Sequence, residues 1–407
     1  MGGTAVKTVY FDKDIPRILA TKAAAKCCKP ALFTGLNAVK LREFPDPPLP
    51  APDWLRVKNV ACGLCGTDVS FFKATAGTSS ALEPIPGSAR TWLGHESVGV
   101  VSETGAEVTK FKTGDRVTIR EYMAGCGNKG IKPPCPNCAA GRYTLCTNYG
   151  EPSPLKLDVT GAGWGDSMIA AEQQMMKVDD ALSDDQAVLI EPASVSLHSV
   201  LIDPPRAGEK VLILGCGVIG LGIVQALRIV QPDCEIWVSV RSKMKRELAL
   251  SFGAHHILSG DLYAETAKAT GGSRVYTGMN KNKMFFGGFD RVYDCLGGNW
   301  ANQTAVRLLA ARGTLVKVGH HMNSVTYDET PVWWQELRIV GVDSHGMEEW
   351  QGEQLYTFEL AQRLIKEGRY RTEGFITHRF PLAQYREALR LAMSGDPNVL
   401  KIVLDCK

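Results

Sequence analysis

The sequence lacks any run of about 18 apolar residues, the length a membrane-spanning helix needs, so no helical span is expected. It lacks an excess of one charge. Forty-six Lys and Arg against 43 Asp and Glu leave +3, too little to select nucleic acid or an anionic membrane. Its opening, MGGTAVKTVYFDKDIPRIL, places acids inside the first apolar stretch, unlike a secretion signal. Position 6 is Val6 and not a hydroxyl residue, which speaks against myristoylation. Internal repeats and low-complexity tracts are also missing. These absences lead to the expectation of a soluble cytoplasmic protein with no nucleic-acid and no membrane partner.

What is present is ordinary globular material, 44% hydrophobic and 22% charged, in 407 residues. That length exceeds what one core usually supports and predicts two domains. Of 12 cysteines, Cys126, Cys135, Cys138 and Cys146 crowd into 21 residues. In a chain without a secretion signal such clustering points to metal ligands or reduced thiols.

The first half reads as β-rich and irregular. AVKTVYF and KPALFTGL suggest short strands, and FPDPPLPAP (44–52) a connector. WLRVKNVACGLCGTDVSFF suggests a strand, a turn and a short helix, and WLGHESVGVVSETG and GDRVTI suggest strands. From about residue 192 strands and helices alternate, which predicts a parallel sheet with helices on both faces. The polar, glycine-rich segment 270–288 reads as a loop.

Gly215, Cys216, Gly217, Val218, Ile219 and Gly220 follow an apolar strand and open a helix. In that context G-x-G-x-x-G suits a dinucleotide: a tight turn, a close approach of pyrophosphate to backbone, and close helix packing. The competing reading is a glycine-rich turn that holds no nucleotide. The acid expected about 20 residues on, for a ribose 2′-hydroxyl, is missing. Val240 stands there, followed by Arg241, Ser242, Lys243, Met244, Lys245 and Arg246. Cations and hydroxyls suit a 2′-phosphate, which predicts NADP(H); a solvated basic helix start that tolerates NAD is the alternative.

Cys65 and His95 lie about 30 residues apart near strand ends, and Glu96 and Glu191 follow. Thiolate, imidazole and carboxylate are all zinc ligands, and a catalytic site needs three with an open position. Taken singly, Cys65 could equally be a buried thiol, His95 a core histidine and Glu191 a surface carboxylate. Cys62 precedes Cys65 by three, but residues three apart on a strand face opposite sides, which argues against a redox C-x-x-C pair.

GLCGTD (63–68), GHESVGVV (94–101), TGDRV (113–117), GRYTLC (141–146), LIEPASVSLHSV (189–200), GCGVIGLG (215–222) and ITHRFPL (376–382) occur in one order. In these the chain resembles the zinc-dependent medium-chain alcohol dehydrogenases, the sorbitol and polyol branch above all. The resemblance runs from about Val39 to the C-terminus. It implies an α/β protein: a GroES-like β-rich catalytic domain over 1–192, with 343–407 returning to it, and a doubly wound Rossmann domain over 193–342. The active site is then expected in the cleft between them.

The resemblance also implies residue roles. Cys65 and His95 would hold a catalytic zinc, with Glu96 as third ligand or exchanging neighbour and Glu191 bound directly or through water. Asp68 would accept a hydrogen bond from His95, and Thr67 would touch the substrate oxygen. The histidine that often completes the proton relay is replaced by Ser70. Val318, before His320 and His321, would lie near the nicotinamide. Cys135, Cys138 and Cys146 match three ligands of the family's structural zinc lobe. The fourth, normally at Lys132, would be Cys126 across a glycine- and proline-containing insert; the alternative is an empty lobe of reduced thiols.

The expected cofactors are therefore zinc, one catalytic and one structural, and NADP, with NAD possible. The expected activity is hydride transfer between a small secondary alcohol or polyol and its carbonyl, in a homodimer or homotetramer. Biosynthetic carbonyl reduction, or a non-catalytic nucleotide- and zinc-binding protein, are the alternatives. His198 reads as a core histidine bonded to backbone. Trp333 and Trp334 suit a pocket wall or a packed domain edge, and His378 and Arg379 a structural role.

Overall fold

Ten residues, Trp54–Gly63, bury most of their side chains and form the hub of the first half. The strand pairs antiparallel with Ser97–Thr104 along one edge. Its other edge is shared by Ser167–Ala171 and, towards Gly63, Lys401–Asp405. The full sheet has seven strands and also takes in Ile376–Pro381, Arg116–Ile119 and Met175–Lys177. Leu55, Val57, Val101, Val117 and Met168 fill its core. This computed structural model describes residues 5–75, 89–120, 125–157, 160–271, 274–319 and 324–407.

Ala5–Asp12 is a strand, as its alternation suggests, and it joins Val39–Pro45 and Arg90–Trp92 in an antiparallel sheet of three. KPALF is not a strand. Lys29–Phe33 is a 3-10 turn behind the helix Ile15–Cys27, where Pro30 at its second position favours a helical start over a ladder.

In the second half, six strands form a wholly parallel sheet. Their order is His256–Leu258, Glu235–Ser239, Lys210–Leu214, Phe289–Asp294, Leu309–Lys317, Arg338–Gly341. Buried on both faces, these strands read as continuous apolar runs such as VLIL. The order reverses beside Lys210–Leu214, where doubly wound sheets bind ligands at the carboxyl ends of their strands.

Two expectations are corrected. Segment 270–288 is not simply a loop: Arg274–Thr277 and Lys283–Phe286 pair as an antiparallel hairpin. Most of its side chains are exposed, so no apolar alternation marks it in the sequence. Residues 343–374 do not return to the first half. The chain divides into Met1–Glu191 with Phe375–Lys407, and Pro192–Gly374. The helix Thr357–Lys366 buries Phe358, Leu360 and Leu364, and Tyr370 is bonded to Ser196, which holds this stretch in the second unit. Among the described residues no helix is long and apolar enough to cross a membrane.

Candidate active site and metal centre

Cys65 has extended backbone and ends the hub strand's run into the helix Gly66–Phe72. Asp68, three residues on, accepts the Cys65 N–H at 2.9 Å and so caps that helix. Thr67, half-buried in the first turn, places its hydroxyl 3.7 Å from Cys65 Sγ. The other arm starts at Gly94, whose φ of +90° a side chain would strain and whose Cβ would lie 2.2 Å from Trp164. This turn delivers His95 and Glu96. The Glu96 carbonyl accepts the Gly63 N–H at 2.8 Å, tying the two arms together.

The donor atoms of Cys65, His95 and Glu96 all lie within 4.8 Å of one another. Gly63 makes room for them, since a Cβ there would stand 1.9 Å from Glu96 Oε2. Glu96 is also gripped by Lys401, whose Nζ donates to both carboxylate oxygens at 2.6 and 2.5 Å and to the Leu64 carbonyl at 3.2 Å. Both side chains are almost wholly buried. No motif marks Lys401, and sequence reasoning missed it.

Glu191 stands outside this set of mutually close donors, at the start of the helix Ile190–Leu201. Burial pushes its carboxyl up to about 7; His95 and Lys401 pull the other way, and Glu96 adds to the rise. At His95 burial opposes protonation, yet the Cys65 thiol, Glu191 and Asp68 overcome it and raise the imidazole well above its ordinary range. Asp68 is raised by burial, against the pull of His95 and of backbone bonds from Cys65 and Gly94. Anionic donors gathered out of water around one histidine suit a divalent cation, which would replace the shared protons.

The second cluster brings Cys126, Cys135, Cys138 and Cys146 within 4.8 Å of one another. Cys146 Sγ lies 3.7 Å from Cys126 Sγ and 3.9 Å from Cys135 Sγ. These gaps are too long for a disulfide. They match the separation of about 3.8 Å between thiolates held tetrahedrally on zinc at about 2.3 Å. Backbone N–H groups of Cys126, Cys135 and Cys138 point at sulfurs of the same cluster at 3.3, 3.2 and 3.5 Å. Burial lifts the thiols of Cys138 and Cys146. At Cys135 burial also pushes up, but bonds from Thr147 and Cys138 prevail and bring it down to about 5. The insert folds back through Gly127–Lys129, and Lys129 donates to the carbonyls of Asn148, at 2.9 Å, and Glu151, at 2.8 Å, closing the lobe.

At the glycine turn the three glycines differ. Gly215 has φ +103°, a conformation side chains resist. A Cβ on Gly220 would lie 2.0 Å from the Gly215 carbonyl. A Cβ on Gly217 would meet nothing within 4 Å, so the turn there faces open space at the start of Val218–Val230. A dinucleotide phosphate fits such a cradle. Ile219 lies in the first turn of that helix, and its carbonyl is 3.4 Å from Ser196 Oγ. Val240 is buried, Arg241 is exposed, and Ser242 accepts the Lys245 N–H at 3.4 Å to cap the helix Lys243–Ser251. Val318 sits at the same sheet end, its N–H donating to the Asp294 carbonyl at 3.1 Å.

Two family models match the chain: an alcohol dehydrogenase GroES-like domain over residues 51–180 and a zinc-binding dehydrogenase over residues 218–356. A Saccharomyces cerevisiae protein named "Probable diacetyl reductase (R)-acetoin forming 2" is 32% identical, over 72% of this chain and 70% of its own. The chain belongs to the zinc-dependent medium-chain alcohol dehydrogenases. Sorbitol dehydrogenase 1 of the same yeast is 25% identical over 90% of this dehydrogenase and 94% of its own length. The solved structure of 2R,3R-butanediol dehydrogenase from Bacillus subtilis has the same fold, with a TM-score of 0.68 and 22% identity over 98% and 99% of the chains.

Other residues of the dehydrogenase fall as follows. His320 and His321 lie outside the described residues. His198 is bonded to the Glu348 carboxylate at 2.5 Å; the expected backbone partner gives way because Glu348 comes from a hairpin, Met347–Tyr356, that the sequence did not suggest. Trp333 and Trp334 are exposed and touch edge to face. Arg379 pairs with Asp185 and Asp405, and Ser70 donates to the Gly66 carbonyl at 3.2 Å.

Proposed function

We propose that this dehydrogenase moves a hydride between a secondary alcohol or polyol, or the matching carbonyl, and a nicotinamide cofactor, with NADP(H) favoured over NAD(H). The observation that carries the reading is the convergence of Cys65, His95 and Glu96, three unlike donors within 4.8 Å of one another beside the hydroxyl of Thr67. Zinc held there supplies, when bound, a Lewis acid that polarises the substrate oxygen. The nicotinamide, when bound, supplies the redox step itself.

The chain's own residues do the rest. Asp68 fixes the Cys65 backbone, and through it the thiol's position, while its charge supports His95. Glu191, whose charge acts on His95, would reach the site through a water or by direct contact. Thr67 Oγ1 is placed to exchange the substrate's proton, and Ser70, one turn further on, replaces the usual imidazole on the way out. Gly217 admits the pyrophosphate to backbone N–H groups, and Gly215, Val218 and Ile219 shape that turn. Val240 leaves room beside the ribose, where Arg241, Ser242 and Lys245 favour a 2′-phosphate. Val318 borders the nicotinamide. Zinc in the four-cysteine lobe is structural, since four thiolates leave no open position.

A homodimer or homotetramer in the cytoplasm goes with this reading. The edge strand Arg338–Gly341 and the exposed Trp333 and Trp334 support the assembly, and light scattering checks it. The functional test is absorbance at 340 nm on the zinc-loaded chain, with polyols, sugars, simple alcohols and their carbonyls, and both cofactors side by side. Turnover lost on chelation, with kcat/KM higher for NADP(H), is the expected result. A kcat/KM that favours NAD(H) would overturn the part given to Val240 and Arg241.

A further inference from the structure

Four cations meet away from the metal donors. Lys40 and Arg42 share one face of the strand Val39–Pro45, because alternate strand residues point the same way. Arg17 comes from the first turn of Ile15–Cys27 and Arg386 from the first turn of Tyr385–Ala392. With Tyr385 they line a cavity of about 450 Å³, and no carboxylate is among its lining residues.

Surface cations are usually either solvated or paired, and this set is only partly either. Lys40 is held by Asp12 at 2.6 Å. Among the described residues, Arg17, Arg42 and Arg386 make no ion pair. Arg17 donates from one terminal nitrogen to the Gly35 carbonyl at 2.9 Å, but its Nε is buried without a partner. Arg386 lies over the Tyr385 ring at 5.2 Å, and its Nε is also buried and unpartnered. In native proteins such donors are usually met by protein, ordered water, an ion or a ligand. The field reaches across the strand pair: burial lifts the phenol of Tyr10, and Arg42, Arg90 and Arg17 pull it back against Asp12.

We propose that this cavity is a second binding site, for a small phosphate-bearing anion. A guanidinium presents parallel donors that match phosphate oxygens, and three of them can serve more than one charge at once. A single carboxylate would leave the cluster with excess positive charge, whereas a phosphate monoester or a diphosphate balances it. The volume lies in the lower part of the roughly 300–1,000 Å³ range of small-ligand sites, which favours a metabolite over a macromolecular segment. Helix Tyr385–Ala392 packs against Gly66–Phe72, the helix that carries Thr67 and Asp68, so an occupant would bear on an element next to the reaction.

The test is calorimetric titration of the full zinc-loaded chain, saturated with NADPH so that the glycine turn is filled, with inorganic pyrophosphate. Wild type binds one ion saturably. Arg42→Gln and Arg386→Gln each weaken it about 10-fold, the loss of a charge-assisted bond. Arg241→Gln, at the dinucleotide turn, and Lys58→Gln, an exposed lysine on another face, leave it unchanged. Arg42 is exposed, so its variant keeps the fold, which thermal unfolding verifies. Absence of saturable binding to wild type overturns the proposal. So does weakening by Arg241→Gln alone, which puts the anion at the dinucleotide turn. Equal weakening by Lys58→Gln also overturns it, because net charge and not this cavity would then be at work.

Discussion

Gly63 and Lys401 act on the same carboxylate from two sides. A methyl group at position 63 would occupy the place of Glu96 Oε2, 1.9 Å away, so Glu96 must move if the glycine is lost. Gly63→Ala is expected to lower kcat/KM more than about 100-fold, as small misplacements of reacting groups do, and zinc content should fall with it. Lys401→Met removes the cation bonded to the buried Glu96 carboxylate. It should cost about 3–5 kcal/mol in urea unfolding, the scale for breaking a buried pair; an unchanged midpoint would mean that the pair contributes nothing. The motif GHES made Glu96 legible in the sequence. Its partner was not, because Lys401 lies 305 residues away and meets it only once Lys401–Asp405 is laid beside Trp54–Gly63.

At the scale of elements, the glycine turn makes a contrast that distinguishes binding from folding. Gly217→Ala adds a methyl to open space, so the fold should hold while the dissociation constant for the dinucleotide rises about 10-fold. Gly220→Ala drives a methyl to 2.0 Å from the Gly215 carbonyl and should destabilise the protein by about 1–3 kcal/mol whether or not cofactor is present. Fluorescence titration and thermal unfolding of the two variants separate these effects. The cysteine lobe has its own test. Cys135→Ser should lower the zinc content by one ion per chain and unfold earlier, and an unaltered metal count would remove zinc from the lobe.

The strand–helix alternation of the second half was legible because both-face burial leaves apolar runs, and the glycine turn stands at the end of one of them. The hairpin within 270–288 was not legible, because its strands are short, Arg274–Thr277 is exposed throughout, and Lys283–Phe286 fully buries Phe285 alone, so no face repeats. Cys126 was readable as the fourth thiol only because the insert that follows it carries glycine and proline.

For the whole molecule, the last segment shows where pattern reading stops. The helix Thr357–Lys366 has a clear apolar face, but nothing in that face says which half of the chain it covers. The second unit also has a pH signature. Burial alone would raise Asp203, yet Arg291 and Arg338 prevail and hold it below the ordinary carboxylate range. Its stabilisation is therefore full above about pH 4 and is lost as the pH falls through the depressed value. Asp203→Asn should cost about 2 kcal/mol at neutral pH, with calorimetric curves of variant and wild type converging as the pH falls below the depressed value. A gap that persists in acid would assign the loss to packing.

The central claim is that Cys65, His95 and Glu96 form a zinc site on which turnover depends. Metal analysis of wild type and His95→Ala, with turnover followed at 340 nm and NADPH binding measured by fluorescence, tests it most directly. Wild type is expected to hold about two zinc ions per chain, one in each cluster. His95→Ala is expected to hold one, with NADPH bound as before and no measurable turnover. A His95→Ala protein that keeps both its second zinc and its turnover would contradict it.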